Sequence, residues 1–228
     1  MPLNNQGFSI ISLPPITKTI SDSFDSLPFD KYMGNNRYRR FNQYKVHHTG
    51  RSWEFDVLPV RPYVTYRKYN KAAGGIKRFY EPLEVRFDEY ISLGLEDLAI
   101  DKSIDWQINV HQYRVIVNAD VEGVTVPEGI HCDGHEYVMI CVFDRKNISG
   151  GELSLFSDID GKNRFYKGII QDGQAVLLDD RKMFHYVSNI EPLDLNQPSH
   201  RDIVVIAISK WNERWYGEEF ENEALEGA

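Results

Sequence analysis

Cysteine and long apolar segments are both scarce in this sequence, and each absence excludes a class of protein. Only two cysteines, Cys132 and Cys141, occur in 228 residues, so neither a disulfide framework nor a zinc site built from CxxC pairs is expected. No apolar run approaches the roughly 20 residues that span a bilayer. The first residues, MPLNNQGFSIISLPP, also lack the basic and apolar regions of a secretory signal. We therefore expect a cytoplasmic protein without a membrane segment.

Basic residues are too few to suggest a nucleic-acid partner. The chain has 26 Lys and Arg against 34 Asp and Glu, a net charge of -8, whereas binding to phosphates requires a basic surface. The sequence also contains no internal repeat, low-complexity segment or flexible linker. A single domain over residues 1–228 is therefore expected, and the sequence leaves open whether the chain forms a homo-oligomer.

Aromatic residues are abundant, at 13% of the chain, and suit a β-rich core. Helices are predicted over 17–27 and 82–99, and strands over 37–46 and 53–69. After residue 105 the apolar pattern has a period of two, and seven strands are predicted over 106–118, 135–143, 151–156, 164–170, 174–179, 184–190 and 201–209. Short strands separated by Gly and Pro turns indicate a mainly β protein, either a sandwich or a double-sheet jelly roll, with N-terminal helices packed on one sheet.

Metal-binding chemistry is concentrated in the segment PEGIHCDGHEYV, residues 127–138. His131 and Asp133 are two residues apart, and alternate residues of an extended strand share a face. An imidazole and a carboxylate would then point to the same place, and His185 from a second strand-like segment would complete a set of three. Two His and one carboxylate on one side of a metal leave open positions, an arrangement diagnostic of non-haem Fe(II) oxygenases.

The residues that follow this pair predict where the ligands point. Met139 and Cys141 share the sequence parity of His131 and Asp133. If the strand is continuous from residue 131 onward, all four side chains lie on one face. The ligands would then project into the interior of the β structure.

Arg201 adds a second chemical requirement. It opens the strand RDIVVIAIS and shares parity with Ile203 and Val205, so it is expected to face the interior of a sheet. A buried guanidinium group needs an anionic partner, and its planar fork fits a carboxylate through two hydrogen bonds. A dicarboxylate cosubstrate beside the metal would supply that partner.

Seven motifs together resemble those of Fe(II)/2-oxoglutarate dioxygenases, and more narrowly the bacterial free L-amino acid hydroxylases typified by L-isoleucine dioxygenase. The motifs are RYRRF (37–41), YNKAAGGIKRF (69–79), HQYRV (111–115), PEGIHCDGHEYV (127–138), NISGGELSLF (147–156), LLDDRKMFHYV (177–187) and HRDIVVIAIS (200–209). Their HxDG, GGE, DDR…H and RD elements are specific when they occur in this order. The resemblance covers about Arg37 to Ser209.

The resemblance implies a fold and a reaction. The core over 105–210 would be a cupin-like double-stranded β-helix, or jelly roll, with a C-terminal tail over 211–228. His131, Asp133 and His185 would bind Fe(II), and Arg201 would bind the distal carboxylate of 2-oxoglutarate. The chain would hydroxylate an unactivated C–H bond of a free L-amino acid, most simply an aliphatic one such as isoleucine or leucine, consuming O₂ and releasing succinate and CO₂.

One position departs from the wider superfamily. Many members carry Ser or Thr two residues after the cosubstrate arginine, whereas this chain has Ile203. A second contact to the distal carboxylate must therefore come from elsewhere, such as a Tyr or Ser on a neighbouring strand.

An amino-acid substrate would also need polar groups that bind its carboxylate. Gln112 and Arg114 interrupt an otherwise apolar face of the strand predicted over 106–118, which makes both candidates. Arg39 and Arg40 are further candidates. Each has a structural alternative, because Arg114 could pair with a carboxylate at the core or sheet edge, and Arg39 and Arg40 could lie on a solvated face.

Two other functions are compatible with the same metal ligands. A cupin-like metal-dependent isomerase or hydrolase would use them without Arg201. A non-catalytic jelly-roll protein could bind a small acid and retain the three ligands for structural reasons. Fold alone does not separate these alternatives.

Overall fold

The computed structural model describes residues 3–227 and consists mainly of antiparallel strands. In chain order the strands are β1 (Phe8–Ser12), β2 (Arg37–His48), β3 (Trp53–Val57), β4 (Trp106–Val117), β5 (Tyr137–Lys146), β6 (Ile148–Gly150), β7 (Glu152–Phe156), β8 (Arg164–Ile169), β9 (Gln174–Asp179), β10 (Phe184–Val187), β11 (Ile190–Pro192) and β12 (Ser199–Lys210). The helices are α1 (Lys18–Ser23), α2 (Asp88–Asp97) and α3 (Glu218–Glu226), with a short 3-10 helix over Trp211–Glu213.

The strands form one large sheet and two small ones. The large sheet has the order β1-β9-β5-β12-β4-β2-β3, and the small sheets have the orders β10-β7-β8 and β11-β6. An apolar layer between them joins Val138 and Ile140 of β5 to Leu153 and Leu155 of β7. Side chains alternate across each strand, and β1, β5, β9 and β12 of the large sheet each send residues into this layer. The expected mainly β, jelly-roll fold is confirmed.

The outer face of the large sheet is covered by the two N-terminal helices, as predicted. Ile91 and Leu95 of α2 pack in one cluster with Met139 of β5 and Ile206 of β12. The Thr17 side chain caps α1 by accepting a hydrogen bond from the backbone N–H of Ile20. Both faces of the large sheet are therefore buried, one under helices and the other against the small sheets.

Several element boundaries differ from prediction. The strand β1 was not expected, and it pairs with β9 along the edge of the large sheet. Both helices are shorter than predicted, and the strand expected over 184–190 is divided into β10 and β11. None of the helices within residues 3–227 combines the length and apolar character needed to cross a membrane.

The C-terminal segment, expected as a tail, packs back onto the sheet. Trp215 is buried, and its backbone N–H donates to the side chain of Gln107 while its carbonyl accepts from Gln43. Gln43 and Gln107 both also donate to Asn109, at 2.9 and 2.6 Å. This buried amide network fixes Trp215 against the open end of the layer between the sheets, next to His135.

Candidate active site

His131, Asp133 and His185 come together in the space between the sheets. The backbone groups of His131 and His185 exchange two hydrogen bonds, of 3.1 and 2.7 Å, in an isolated antiparallel bridge. The His131 Nε2 lies 3.4 Å from one Asp133 oxygen, and the His185 Nε2 lies 3.7 Å from the other. One donor atom from each residue lies within 4.8 Å of the others, a spacing that fits a single metal ion.

A hydrogen bond orients the imidazole of His131, and a buried carboxylate lies near the imidazole of His185. The Nδ1 of His131 donates to the carbonyl of Gly129 at 3.0 Å, which leaves its Nε2 facing Asp133. The Nδ1 of His185 lies 3.7 Å from Oδ1 of Asp180. A ligand histidine whose other ring nitrogen is held by a carbonyl or a carboxylate is the usual arrangement at protein metal sites.

Asp180 also holds the backbone that carries Asp133. Its carboxylate accepts hydrogen bonds from the backbone N–H groups of Asp133, Gly134 and His135, at 3.1, 2.6 and 3.1 Å. The Asp180 side chain is completely buried. Sequence reasoning did not assign this position a role at the metal, although Asp180 lies in the DDR…H motif that contributes His185.

A tight turn separates the ligands from β5 and corrects the expected parity. Gly134 adopts a φ of +88°, a left-handed conformation that side chains disfavour, and a Cβ there would collide with the ring of Tyr69. Because of this turn the strand is not continuous, and Met139 and Cys141 point to the helix side of the sheet. The ligands nevertheless face the interior, since His131 pairs with His185 of β10 instead of extending β5.

The protonation behaviour of the three residues suits a divalent cation. Burial raises the pKa of Asp133, but the hydrogen bond from His131 and the neighbouring imidazoles lower it more, and it ends below its usual range. Burial lowers the pKa of His185 to about 4. Burial also opposes protonation of His131, yet Asp133 raises its pKa to about 9. Asp133 is therefore ionised and His185 uncharged at neutral pH, and His131 would release a proton on binding a metal; one anionic and two imidazole donors fit Fe(II).

The three residues open into a cavity of about 800 Å³, a volume that includes space open to solvent. Arg201 lines the same cavity together with Ile203 and Val205 of β12, as their shared parity predicts. Arg201 is 2% exposed. Its Nε has no hydrogen-bond partner within residues 3–227, and burial lowers the pKa of its guanidinium to about 10. A buried cation in this condition requires an anionic ligand.

Tyr113 is placed to assist Arg201. It lies on β4 opposite Ile203, lines the cavity, and its phenol is close enough to influence the pKa of Arg201. Tyr113 is therefore a candidate for the second contact to the distal carboxylate, which Ile203 cannot supply.

The four residues proposed from the sequence to contact substrate are divided by the structure. Arg39 lines the cavity. Arg40 points the other way and forms ion pairs with Glu81 and Glu84 at 2.9 and 2.7 Å. Arg39 and Arg40 therefore lie on opposite faces of β2. Arg40 does not face the cavity, and it is an ion-paired residue instead of one on a solvated face.

Gln112 and Arg114 also lie on the helix side of the sheet, and the expectation that they face the substrate is corrected. Gln112 donates to the Ser23 hydroxyl at 2.7 Å. Arg114 binds both carboxylate oxygens of Asp202, at 2.6 and 2.7 Å. The apolar pattern did not distinguish the two faces because both faces of β4 are buried, and the cavity side is the one that carries His111 and Tyr113.

A second group of metal-type donors lies outside the cavity. Asp144, His200 and Asp202 have donor atoms within 4.8 Å of one another. The Asp202 carboxylate is already bound through both oxygens by Arg114, and the Nε2 of His200 lies 3.1 Å from Asp144. This group is an internal ion-pair network.

The cavity contains two arginines and a tyrosine that the sequence patterns did not single out as site residues. Arg37 and Arg78 line it, and so does Tyr63. Arg37 could have been found, because it shares parity with Arg39 on β2. Arg78 lies outside the regular strands and had no such indication.

Comparison with known proteins identifies the family. A family model described as 2OG-Fe dioxygenase matches residues 21–207. The chain belongs to the 2OG-Fe dioxygenase family. This dioxygenase accordingly depends on Fe(II) and 2-oxoglutarate and uses O₂, and the matched region includes His131, Asp133, His185 and Arg201. Family membership favours an oxygenase over the isomerase, hydrolase and binding-protein alternatives.

Solved structures show the same fold. A bsmA homologue from Methylobium petroleophilum PM1 is 23% identical, with a TM-score of 0.74 over 92% of this chain and 95% of the other. IDO from Bacillus thuringiensis is 17% identical, with a TM-score of 0.68 over 90% and 91%. The Fe(II)/α-ketoglutarate-dependent dioxygenase TqaL is 15% identical, with a TM-score of 0.55 over 85% and 75%. A search of curated proteins finds no significant match to this dioxygenase.

Proposed function

We propose that this dioxygenase hydroxylates an unactivated C–H bond of a free L-amino acid, with aliphatic residues such as isoleucine or leucine as the first candidates. One oxygen atom of O₂ enters the product and the other enters succinate, which is formed from 2-oxoglutarate with loss of CO₂. The observation that carries the proposal is the joint presence, in one cavity, of the three metal-type ligands and the unpaired guanidinium of Arg201. The amino-acid class is supported by the sequence motifs that resemble free amino-acid hydroxylases.

Each site residue has a role in this proposal. His131, Asp133 and His185 would hold Fe(II) and leave positions for 2-oxoglutarate and O₂. When bound, Fe(II) and 2-oxoglutarate together supply the capacity to oxidise a C–H bond with O₂. Arg201 would bind the distal carboxylate of 2-oxoglutarate through two hydrogen bonds, and Tyr113 would donate a further one.

The rest of the cavity suits a small substrate with an apolar part. It lies between the sheets and combines charged and apolar side chains. Met33, Val126, Ile203 and Val205 contribute apolar surface to its lining. A substrate held against this surface would place one carbon beside the metal, and such positioning is a major part of the rate enhancement in an enzyme of this kind.

Product formation tests the proposal. The purified protein is incubated with Fe(II), 2-oxoglutarate, ascorbate and each of the twenty L-amino acids, and mass spectrometry is used to detect a product heavier by one oxygen atom. We expect such a product with at least one amino acid, together with an equal amount of succinate. Succinate formation without any hydroxylated amino acid would contradict the proposed substrate class.

Controls separate this reaction from the other functions considered. Omission of 2-oxoglutarate should abolish the product, and so should Asp133→Ala, which removes the anionic ligand. Turnover of an amino acid that continued without 2-oxoglutarate would instead indicate an isomerase or hydrolase.

A further inference from the structure

The arginines of the cavity form two groups. Arg37 stacks on the ring of Tyr113 at 4.7 Å and is close enough to Arg201 to affect its pKa, so Arg37, Tyr113 and Arg201 belong to one side of the cavity. Arg78 stacks instead on the ring of Tyr63 at 4.5 Å, and Arg39 lies near both tyrosines, 5.9 Å from the Tyr63 ring and 5.5 Å from the Tyr113 ring. The cavity therefore offers two separate cationic positions, and the proposed function assigns 2-oxoglutarate to the one at Arg201.

The second position lies close to the metal ligands. Tyr63 lines the cavity beside the three ligands, and Asp133, Arg78 and Arg39 are all near enough to its phenol to influence its pKa. A ligand that contacts Arg78 and Tyr63 would thus have its remaining atoms beside the metal. Such placement is required of a substrate, not of a distant regulator.

Arg78 is a buried cation that lacks an anionic partner. Its side chain is 1% exposed. The sulfur of Met33, 4.0 Å from one terminal nitrogen, is its one recorded side-chain hydrogen-bond contact in the part of the chain that the structure describes. Sulfur is a weak acceptor. Arginine is almost never buried in this way without a partner.

Other arginines near Arg78 each have at least one oxygen or nitrogen acceptor, although their Nε atoms are unpaired. Arg39 lies 3.5 Å from the carboxylate of Asp30 and donates to the Nδ1 of His111 at 2.7 Å. Arg37 donates to the carbonyl of Thr125 at 2.6 Å. Arg78 is therefore the one cavity arginine, besides Arg201, that has neither a carboxylate nor a carbonyl oxygen within hydrogen-bond reach in residues 3–227.

The unpaired atoms of Arg78 form one edge of its guanidinium group. Both Nε and Nη2 are buried without a hydrogen-bond partner. Arg114 uses the same two atoms to bind both oxygens of Asp202, at 2.6 and 2.7 Å. Stacking of Arg78 on Tyr63 occupies a face of the guanidinium, and its unpaired edge keeps two N–H donors that a carboxylate entering the cavity would satisfy.

The backbone holds the fork in position before any ligand binds. Tyr63 and Arg78 exchange two backbone hydrogen bonds, of 2.8 and 3.0 Å, which close the segment between them into a loop. Gly75 donates a further hydrogen bond to the carbonyl of Thr65 within the same loop. A cation that is already oriented loses less conformational freedom on binding, which increases affinity.

We propose that Arg78, supported by Tyr63, binds the carboxylate of the substrate, so that the enzyme acts on a free carboxylic acid and not on an amide or a peptide-linked residue. This inference rests on the proposed function for the identity of the site. It adds to that function the residue that selects the substrate and the chemical group that is selected. Arg201 and Arg78 then bind two different carboxylates in one cavity.

Calorimetry on the full-length protein tests this directly. Mn(II) replaces Fe(II) and 2-oxoglutarate is present, so that binding is measured without turnover. The probes are the twenty L-amino acids and the primary amides of those that bind. We expect wild-type protein to bind at least one amino acid and to bind its amide much more weakly. Arg78→Met should weaken binding of the acid at least about 30-fold, because it removes one partner of a buried charge pair.

Matched variants distinguish binding from folding. Arg78→Met should leave the affinity for 2-oxoglutarate within about threefold of wild type, whereas Arg201→Met should lose it. Arg78→Lys should retain part of the acid affinity, since it keeps the charge but not the fork. Arg40→Met is a control, because Arg40 lies on the face of β2 that points away from the cavity, and this variant should bind the acid with wild-type affinity. The ligand-free Arg78→Met protein should have a Tm no lower than that of wild type. Removing an arginine that stabilises the fold would lower the Tm, whereas removing an unpaired buried cation would not.

The outcomes separate this inference from the proposed function. Unchanged acid affinity in Arg78→Met, equally tight binding of the amide, or an equal loss of 2-oxoglutarate affinity would overturn the role of Arg78 and leave amino-acid hydroxylation standing. Acid binding that depends on Arg78, without oxygen insertion into any amino acid, would overturn the proposed function and leave the carboxylate site standing. Failure of wild-type protein to bind any of the twenty amino acids would overturn both.

Discussion

Asp180 holds the backbone of Asp133 in place. The buried carboxylate accepts the Asp133 N–H at 3.1 Å, and another of its oxygens accepts the N–H of Gly134 at 2.6 Å. It also lies 3.7 Å from the Nδ1 of His185. One side chain therefore holds the backbone of Asp133 and borders the ring of His185, two of the three proposed metal ligands.

Asp180→Asn should reduce metal affinity about 10- to 100-fold, the usual effect of removing a residue that orients ligands. An amide has only one accepting oxygen, whereas both oxygens of Asp180 accept backbone hydrogen bonds. Titration of the protein with Co(II), followed by its absorption spectrum, measures the change. Asp179→Asn is the control, since Asp179 forms an ion pair with Lys182 away from the site. Equal metal affinities in the two variants would argue against a positioning role.

Gly134→Ala should destabilise the protein more than a glycine-to-alanine change at another left-handed position. Gly134 and Gly50 have nearly the same φ, +88° and +89°. A Cβ at Gly134 meets the ring of Tyr69, whereas a Cβ at Gly50 meets nothing within 4 Å. We expect about 1 kcal/mol of destabilisation at Gly50 from the backbone alone and about 2–3 kcal/mol at Gly134, where the collision adds to it.

Urea denaturation at constant pH measures both values. Gly134→Ala should also weaken Co(II) binding, because we expect relief of the collision with Tyr69 to shift the turn that carries Asp133. Equal losses of stability for Gly134→Ala and Gly50→Ala would mean that contact with Tyr69 does not constrain this turn.

Arg201→Met should weaken 2-oxoglutarate binding by about 2–5 kcal/mol, roughly 30- to several-thousand-fold, as expected when one partner of a buried charge pair is removed. The unliganded variant should be at least as stable as wild type, because the unpaired buried cation is gone. The shift in Tm on addition of 2-oxoglutarate and Mn(II) reports the binding. Arg145→Met is a nearby control, since Arg145 donates to the carbonyl of Gly150. A full Tm shift in Arg201→Met would exclude Arg201 as the 2-oxoglutarate ligand.

His111 should make the protein less stable as the pH falls below about 6.5. Burial, assisted by the positive charges of Arg39 and Arg78, lowers the pKa of His111 well below its usual value. The unfolded chain therefore binds a proton that the folded chain does not, and stability must rise with pH in this range. One such histidine contributes a slope of about 1.4 kcal/mol per pH unit below pH 6.5.

Unfolding free energies in urea at pH 7, 6 and 5, with EDTA present, test this slope. His111→Gln should have a smaller slope than wild type by about 1.4 kcal/mol per unit, whatever its stability at pH 7. Parallel curves for the two proteins would show that His111 is protonated in the folded state.

The strands after residue 105 were predictable because they depend on a local pattern, and the predicted ligands His131, Asp133 and His185 do lie together. Period-two alternation located β4, β9 and β12, and the parity of Arg201 with Ile203 correctly placed both on the cavity. The same argument failed for Gln112 and Arg114, since helices bury one face of β4 and the cavity occupies the other. Parity also misdirected the side chains of Met139 and Cys141, because the left-handed turn at Gly134 interrupts the strand.

Other features depend on contacts between distant parts of the chain. Arg78 reaches the cavity through a two-residue bridge with Tyr63, in a segment without regular periodicity. The five-residue β1 becomes a strand by pairing with β9. Trp215 is buried by amide groups from β2 and β4. None of these relationships leaves a repeating pattern in the sequence.

The reciprocal backbone hydrogen bonds between His131 and His185 have a consequence for how the enzyme acquires iron. Because the main chain itself sets the spacing of these two imidazoles, we expect the folded chain to form the site before metal binds. A chelator should therefore remove the metal while the sheets persist, and fresh Fe(II) should restore activity without a refolding step. Iron lost from such a site would be replaced by binding to the folded protein.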